Sequence, residues 1–405
     1  QCCFEQSCVP LGGLGEAALQ LAEQARQLEE EQRKRADANF EAAQKTVDEF
    51  LTDVSQSDLL NEPQMEPLRR QLLEKARTYY QEFIQQQTDD PKLKAKLGDA
   101  HLRLGAIFGD LGEHEAAIAE VRQAIAIAEQ LVKEHPDVPE YANALAASYN
   151  NLGLLLRSTG KSEEAATAYG KAREIRERLV KEHPDVPKYA NALASTYLNS
   201  GILEQGRRRY SKAIAHYERS LERLRSLKKD GQLARYLAGW DKKVEQRLVL
   251  CQRAKRAIEE LSYALAQPPK QAAGLLSIRG SVLAERGNHA GAAESGEKLA
   301  SLVSPKDQPF AKALNLYNAA CLLSLSSAAA VKSKGLPVPK RKELAERYAS
   351  RALALLIDAR IAGFFKDPKN IAHIAKDSDL EAVRTRADFK KFLQELQSTP
   401  QPQRN

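Results

Sequence analysis

The chain has 405 residues, enough for two or three ordinary domains or one long solenoid. Apolar residues make up 43% but aromatics only 6%, so the core is built from alanine and leucine, which suits closely packed helices and argues against a β-sandwich. The 61 basic and 54 acidic residues leave a net charge of +7 with the signs interspersed, which predicts a solvated surface with a mild basic excess and no nucleic-acid footprint.

Residues 1–13, QCCFEQSCVPLGG, fit nothing downstream and are expected to be disordered. The start at Gln1 predicts a truncated or mis-started reading frame, and no basic stretch followed by an apolar one marks a signal peptide. Cys2, Cys3 and Cys8 crowd this end, while Cys251 and Cys321 stand alone in helical patterns as core hydrophobes. No CxxC pair occurs, so zinc and redox motifs are unsupported and a reducing, cytoplasmic compartment is expected. No apolar run approaches the length of a membrane span.

Residues 14–54 read as one long charged helix. Leu14, Ala18, Leu21, Ala25 and Leu28 alternate steps of four and three, and after a slip the seam resumes at Ala36, Phe40, Ala43, Val47, Phe50 and Val54. This is either a coiled-coil or dimer helix or an amphipathic helix docked on the downstream helices. A linking helix is expected within 65–90, with Leu68, Leu72, Ala76, Tyr79, Tyr80 and Phe83 marking its buried stripe.

The next segment holds a near-verbatim duplication. Residues 131–149 read LVKEHPDVPEYANALAASY and residues 179–197 read LVKEHPDVPKYANALASTY, an offset of 48. Gly105, Gly153 and Gly201 keep that period, as do Pro91, Pro139 and Pro187, each placed to open a helix. Ala117, Ala165 and Ala213 come next in phase, then Val121, Tyr169 and Tyr217. A glycine in helix A removes the side chain where helix B crosses, an alanine in helix B lets the backbones approach, and the large residue four positions on plugs the gap. This signature resembles the tetratricopeptide (TPR) repeat and implies an all-α, right-handed α-solenoid of helical hairpins. The usual TPR period is about 34 residues. The extra residues here lengthen the end of helix B and the start of the next helix A by roughly 10 Å each.

Past Gly231 the period is lost. Residues 233–266 suit one long helix, and 275–302 again resembles a hairpin through Gly280, Gly287, Ala292 and Leu299. An apolar helix over 310–330 precedes a basic loop over 331–342. Three long-period units over 91–230 are thus succeeded by degenerate hairpins over 231–330. A C-terminal hairpin with capping helices fills 343–396, and 397–405 is expected to be a disordered tail.

Four stretches, EEEQRKRADANFEAAQKTVDEF, PLRRQLLEKARTYYQEFI, LGLLLRSTGKSEEAATAY and the YNAAC…DSDLEAVR…DFKKFL ending, carry a second resemblance. From about residue 28 to 396 the chain is similar to the region C-terminal to the catalytic domain in TPR-bearing serine/threonine kinases of planctomycete-type bacteria. In that family a kinase domain and a membrane segment precede the charged helix. The chain contains no Gly-rich phosphate loop, Val-Ala-x-Lys strand, HRD or DFG. It is therefore expected to be non-catalytic, the regulatory or partner-binding part of such a kinase.

Other chemistry finds no motif. His135 and His183 are repeat equivalents in the same turn, His101 replaces a repeat tyrosine as a core residue, and His114 lies in a turn. HExxH and GxSxG are absent, so no metal or cofactor is expected. The remaining expectation is protein or peptide binding on the concave helix-A face by Arg103, Asn150, Asn151, Arg157 and Asn199, whose amides and guanidinium groups can hold a peptide backbone or carboxylate. Asn143 and Asn191 recur one or two turns earlier, and the Arg207-Arg208-Arg209 run reads as a solvated turn. The alternatives are a spacer that dimerises through residues 14–54 and a basic nucleic-acid-binding solenoid.

Overall fold

The computed structural model describes residues 65–83, 90–302 and 309–398, together with positions 20, 22–28, 30, 31 and 35. The expected disordered stretch 1–13, most of the 14–54 helix and most of the expected disordered tail over 397–405 lie outside the described residues; Gln397 and Ser398 of that tail are helical instead. Positions 22–28 are helical, and Ala25 and Leu28 of the expected seam are solvent-exposed. The described residues are all-α, helices joined by short turns with no strand among them. They divide into two compact units, before and after Gly160.

In the first unit, α1 (Glu66–Phe83) packs on α2 (Pro91–Asp110), α2 on α3 (His114–Glu134), α3 on α4 (Pro139–Ser158), and α2 also touches α4. Asp90 caps α2 by accepting from Lys92 N at 2.9 Å, and Pro91 occupies the first turn, where a missing N–H costs nothing. Leu73, Ala76 and Tyr80 of α1 bury against Ala100, Leu104, Ile107 and Phe108 of α2. A Cβ on Gly105 would lie 2.6 Å from Val121 Cγ2 and 3.2 Å from the Ala117 carbonyl oxygen, so the glycine permits the α2–α3 crossing.

The second unit comprises α5 (Ser162–Glu182), α6 (Pro187–Gly206), α7 (Tyr210–Lys229), α8 (Trp240–Glu259), the short α9 (Leu261–Leu265), α10 (Pro269–Glu285), α11 (His289–Ala300), α12 (Pro309–Lys332) and α13 (Val338–Ile361). Three short helices close it: α14 (Pro368–Ile374), α15 (Glu381–Arg384) and α16 (Ala387–Ser398). From α5 to α8 each helix packs on the next; α8 then packs on α10, and the series continues through α11 and α12 to α13. This nearest-neighbour order is that of a solenoid. The α6–α7 crossing repeats the glycine device, with a Cβ on Gly201 falling 2.5 Å from the Tyr217 ring.

The KEHPDVP segments are helix-joining turns. His135 N donates to Leu131 O and His183 N to Leu179 O, both at 2.8 Å, and each imidazole lies edge-on to a tyrosine six residues later. Tyr149 and Tyr197, also repeat equivalents, each donate to a glutamate of the preceding helix, Glu129 and Glu177, at 2.5 Å. His101, expected in the core, is half-buried instead, with Nδ1 2.7 Å from Glu120.

Three further expectations change. The long helix over 233–266 is broken: a 3-10 turn at Arg235–Leu237 leads to Gly239 at φ +78, where α8 begins, and extended Glu260 separates α8 from α9. The basic loop over 331–342 shrinks to 333–337, because Pro339 sits in the first turn of α13, a position that tolerates proline. The arginine run is engaged rather than solvated. Arg207, only 8% exposed, bonds Glu163 and Glu204, Arg209 reaches Glu163 at 3.2 Å, and Arg208 reaches Glu285 at 2.5 Å. Arg208 stands at φ +55, seven residues after its signature glycine, where the other hairpins place Gly112, Gly160 and Gly287 at φ +77 to +81. A left-handed arginine costs about 1–2 kcal/mol, offset here by the reach to α10.

The motif at the chain's end is one tertiary lock. Tyr317 donates to Asp377 at 2.5 Å, Cys321 lies 3.7 Å from the same carboxylate oxygen, and the other oxygen caps the following turn at Asp379 N. Burial raises both the Tyr317 phenol and the Cys321 thiol well above their ordinary values, so neither is an ionised nucleophile. By length and composition α12 could cross a membrane, but 67% of that window is buried, the placement of a core helix.

Candidate functional site

The expected groove residues sit on the helix-A members of the hairpins. Arg103 is on α2, Asn150, Asn151 and Arg157 are on α4, and Asn199 is on α6 in the second unit. Within the first unit α2 and α4 pack directly, and a Cβ on Gly109 would come 3.2 Å from Leu155 Cδ2. On α4, Asn150, Asn151, Leu154 and Arg157 follow helical spacing, so they share a face. Asn150, Asn151, Leu154 and Arg157 are half-buried, while Arg103, Ala106 and Asp110 of α2 are exposed. The face therefore offers amides, guanidinium groups and a strip of aliphatic surface. It carries hydrogen-bonding capacity in both directions and no nucleophile–base pair.

The two asparagines one or two turns earlier differ. Asn191 is buried, and its amide donates to Gln232 O at 3.0 Å and accepts from Ala234 N at 2.8 Å, pinning the segment that succeeds α7. Asn143 Oδ1 is buried without a partner. Arg176, which the sequence did not single out, is buried on α5, where it donates to Ala192 O at 3.0 Å and to Thr196. Burial lowers its pKa to about 10.

A cavity of about 510 Å³ opens among α11, α12 and α13, lined by Glu294, Glu297, Leu323, Arg347, Tyr348 and Arg351. Glu297 is held by Arg351 through two 2.9 Å hydrogen bonds, and Arg347 lies over the Tyr348 ring. Among the described residues, no group of three His, Cys, Asp or Glu side chains could hold a metal ion.

Residues 98–131 and 144–226 each match a tetratricopeptide repeat family description. The chain carries tetratricopeptide repeats. The first match brackets the α2–α3 hairpin and the second runs through the two later signature glycines, so the TPR repeats coincide with the long-period units. No curated protein matches the chain. Among crystal structures, BtubC (BKLC) from P. vanneervenii is 16% identical, with 78% of this chain and 92% of that one covered at a TM-score of 0.29. The apo form of RapI is 15% identical over 74% of this chain and 95% of its own, TM-score 0.37. Nro1, described as a hypoxic regulator of sterol synthesis and a nuclear import adaptor, is 14% identical over 78% and 99%, TM-score 0.31.

Proposed function

We propose that the chain is a non-catalytic protein-interaction scaffold that holds protein segments on the helix-A face of its TPR repeats. The observation that carries this is the joint presentation, on two directly packed helices, of Arg103 with Asn150, Asn151 and Arg157. Asparagine side chains both donate to and accept from a peptide backbone, and arginine takes a carboxylate. Asn199 on α6 extends the same use of helix A to the second unit. Helices of 20 and 21 residues in each hairpin give a partner more length to lie along.

The test is quantitative affinity capture with the full chain and an Asn151→Ala/Arg157→Ala variant matched for thermal midpoint. Loss of the captured partners supports the face. Unchanged recovery of every partner sinks it. The resemblance over residues 28–396 supports a narrower reading, that this scaffold is the regulatory part of a serine/threonine kinase; the absence of a CxxC pair favours the cytoplasm for this part, whether or not a kinase parent is membrane-anchored. Reading the locus upstream of Gln1 tests it, and the reading fails if no kinase domain is encoded there.

A second reading is favoured by one observation. Leu28, a seam position of the expected long helix, is 58% exposed in the single chain. Dimerisation through that helix would cover it. Light scattering on the chain with and without residues 1–60 decides the matter, since a monomer in both removes the idea.

A further inference from the structure

The whole-chain charge hides a strong local asymmetry. Residues 207–256 contain sixteen Lys and Arg against five Asp and Glu, a local net of +11 in a chain whose total is +7. The arginine run and Arg219, Arg225 and Lys228 of α7 are paired with carboxylates within the fold. Most of those on helix α8 are not.

Val244, Leu248, Cys251, Ala254, Ala257 and Ile258 form the buried face of α8. The opposite face carries Lys242, Gln246, Val249, Arg253 and Arg256, spaced four, three, four and three residues apart, with Lys243 and Leu250 beside them. Val249 is 38% exposed and Leu250 56%. Both acids in the first half of the helix are turned to α7: Asp241 holds Lys228 at 2.7 Å and Glu245 holds Arg225 at 3.0 Å. Arg256 is taken by Glu260 at 3.1 Å. Lys242, Lys243, Arg253 and Lys255 are left facing solvent without a carboxylate.

We propose that this open face of α8 docks an acidic protein segment. Apolar residues of the segment cover Val249 and Leu250, and carboxylates on either side of them reach Lys242 and Lys243 at one end and Arg253 at the other. Lys242 and Arg253 are eleven residues apart, roughly 16 Å along the axis. An extended segment spans that in about five residues, which defines the motif as acid, a short apolar centre, then acid. The layout favours peptide over nucleic acid. The stripe centres on two exposed aliphatic side chains, Val249 and Leu250, for which a phosphate track has no use, and the Tyr263 ring near its end is already covered by Arg256 at 4.5 Å. Cations at the ends steer encounter, and the aliphatic centre supplies the area to bury. This surface shares no residue with the helix-A face of the first unit.

The experiment is fluorescence anisotropy on the full chain with a labelled synthetic peptide in which Glu-Asp pairs flank Leu-Val-Leu. The unlabelled competitors are a scrambled peptide and a single-stranded RNA of equal charge. Saturable binding is expected, weakened at least tenfold by Lys242→Glu/Arg253→Glu and about threefold or more by Val249→Ser/Leu250→Ser. All four side chains are exposed, so both variants keep the wild-type circular dichroism midpoint. No saturable binding, or binding unchanged in both variants, overturns the proposal. So does an RNA that competes as well as the peptide while Val249→Ser/Leu250→Ser has no effect, since that describes a polyanion surface. An Asn151→Ala/Arg157→Ala chain binds the peptide normally under this proposal. Its failure to do so while Lys242→Glu/Arg253→Glu binds would move the site to the helix-A face.

Discussion

Replacing Gly201 by alanine reverses the ordinary sign of that substitution. An exposed mid-helix Gly→Ala change stabilises by about 1 kcal/mol, because alanine loses less backbone entropy. At Gly201 the new methyl would sit 2.5 Å from Tyr217 Cε1 and 2.6 Å from Cδ1. The ring has no room to swing away: Tyr217 is fully buried and its hydroxyl is tied to Gln205 at 2.7 Å. Overpacking of this kind costs about 1–3 kcal/mol, and a broken Tyr217–Gln205 hydrogen bond adds about 1 kcal/mol. The net expectation is a loss of about 1–3 kcal/mol. Gly170 is the internal control, since it also lies mid-helix, on α5, but a Cβ there meets nothing within 4 Å. Gly170→Ala should gain about 1 kcal/mol, so two chemically identical changes should differ by about 2–4 kcal/mol. Urea unfolding followed by tryptophan fluorescence reads the right place, because Trp240 is the only tryptophan and packs on the cluster that contains Tyr217. If Gly201→Ala raises the midpoint as Gly170→Ala does, the close-crossing account of the signature glycine is wrong.

Two further outcomes concern buried titratable groups. His216 is held down to about 4 by burial and by the neighbouring Arg173, Arg219 and Lys212. Its folded pKa is depressed below 6.5, so the neutral form is favoured by folding and stability falls as pH drops from about 6.5 towards about 4. NMR titration of the imidazole checks this, and a midpoint near the ordinary value would refute it; His216→Phe should remove that part of the acid sensitivity. Cys251 is fully buried and its thiol is pushed up to about 11 by burial. In a chain with Cys2, Cys3 and Cys8 changed to serine, neither Cys251 nor Cys321 should react with a disulfide reagent until the protein unfolds. Labelling in the native state at the rate of a free thiol would contradict the packing of α8 and α12.

The features legible in the sequence were local and periodic. Gly105, Gly201, Ala117 and Ala213 announce the crossings because each hairpin closes within about 20 residues of chain. The KEHPDVP turns were legible for the same reason. The arginine run was misread because its partners Glu163 and Glu285 lie 44 and 77 residues from Arg207 and Arg208, and only the fold brings them together. The YNAAC and DSDL strings were recognisable as a pattern, but the bond from Tyr317 to Asp377, 60 residues on, is what gives them a reason. The open face of α8 went unseen because a net charge summed over the whole chain cancels it, and because its two acids are consumed by α7 only once the helices pack.

The hairpin that follows the loss of period closes its crossing differently from the long-period ones. In the first and third hairpins the residue sixteen after the signature glycine is the plug: Val121 after Gly105 and Tyr217 after Gly201. After Gly280 that residue is Gly296, so the α10–α11 hairpin has no plug of its own. The space is filled from the next helix. A Cβ on Gly280 would lie 2.6 Å from Leu322, and one on Gly296 would fall on Leu323 and within 3.2 Å of the Ala319 carbonyl oxygen. Helix α12 therefore enters the hairpin ahead of it as well as pairing with α13. Leu276, Leu299, Leu322, Leu355 and Phe389 consequently belong to one continuous core running from α10 to α16. A self-plugged hairpin can be repeated at a fixed period because each copy closes its own gap. At Gly280 the chain switches from the first device to the second, and from α10 onward the helices share one core.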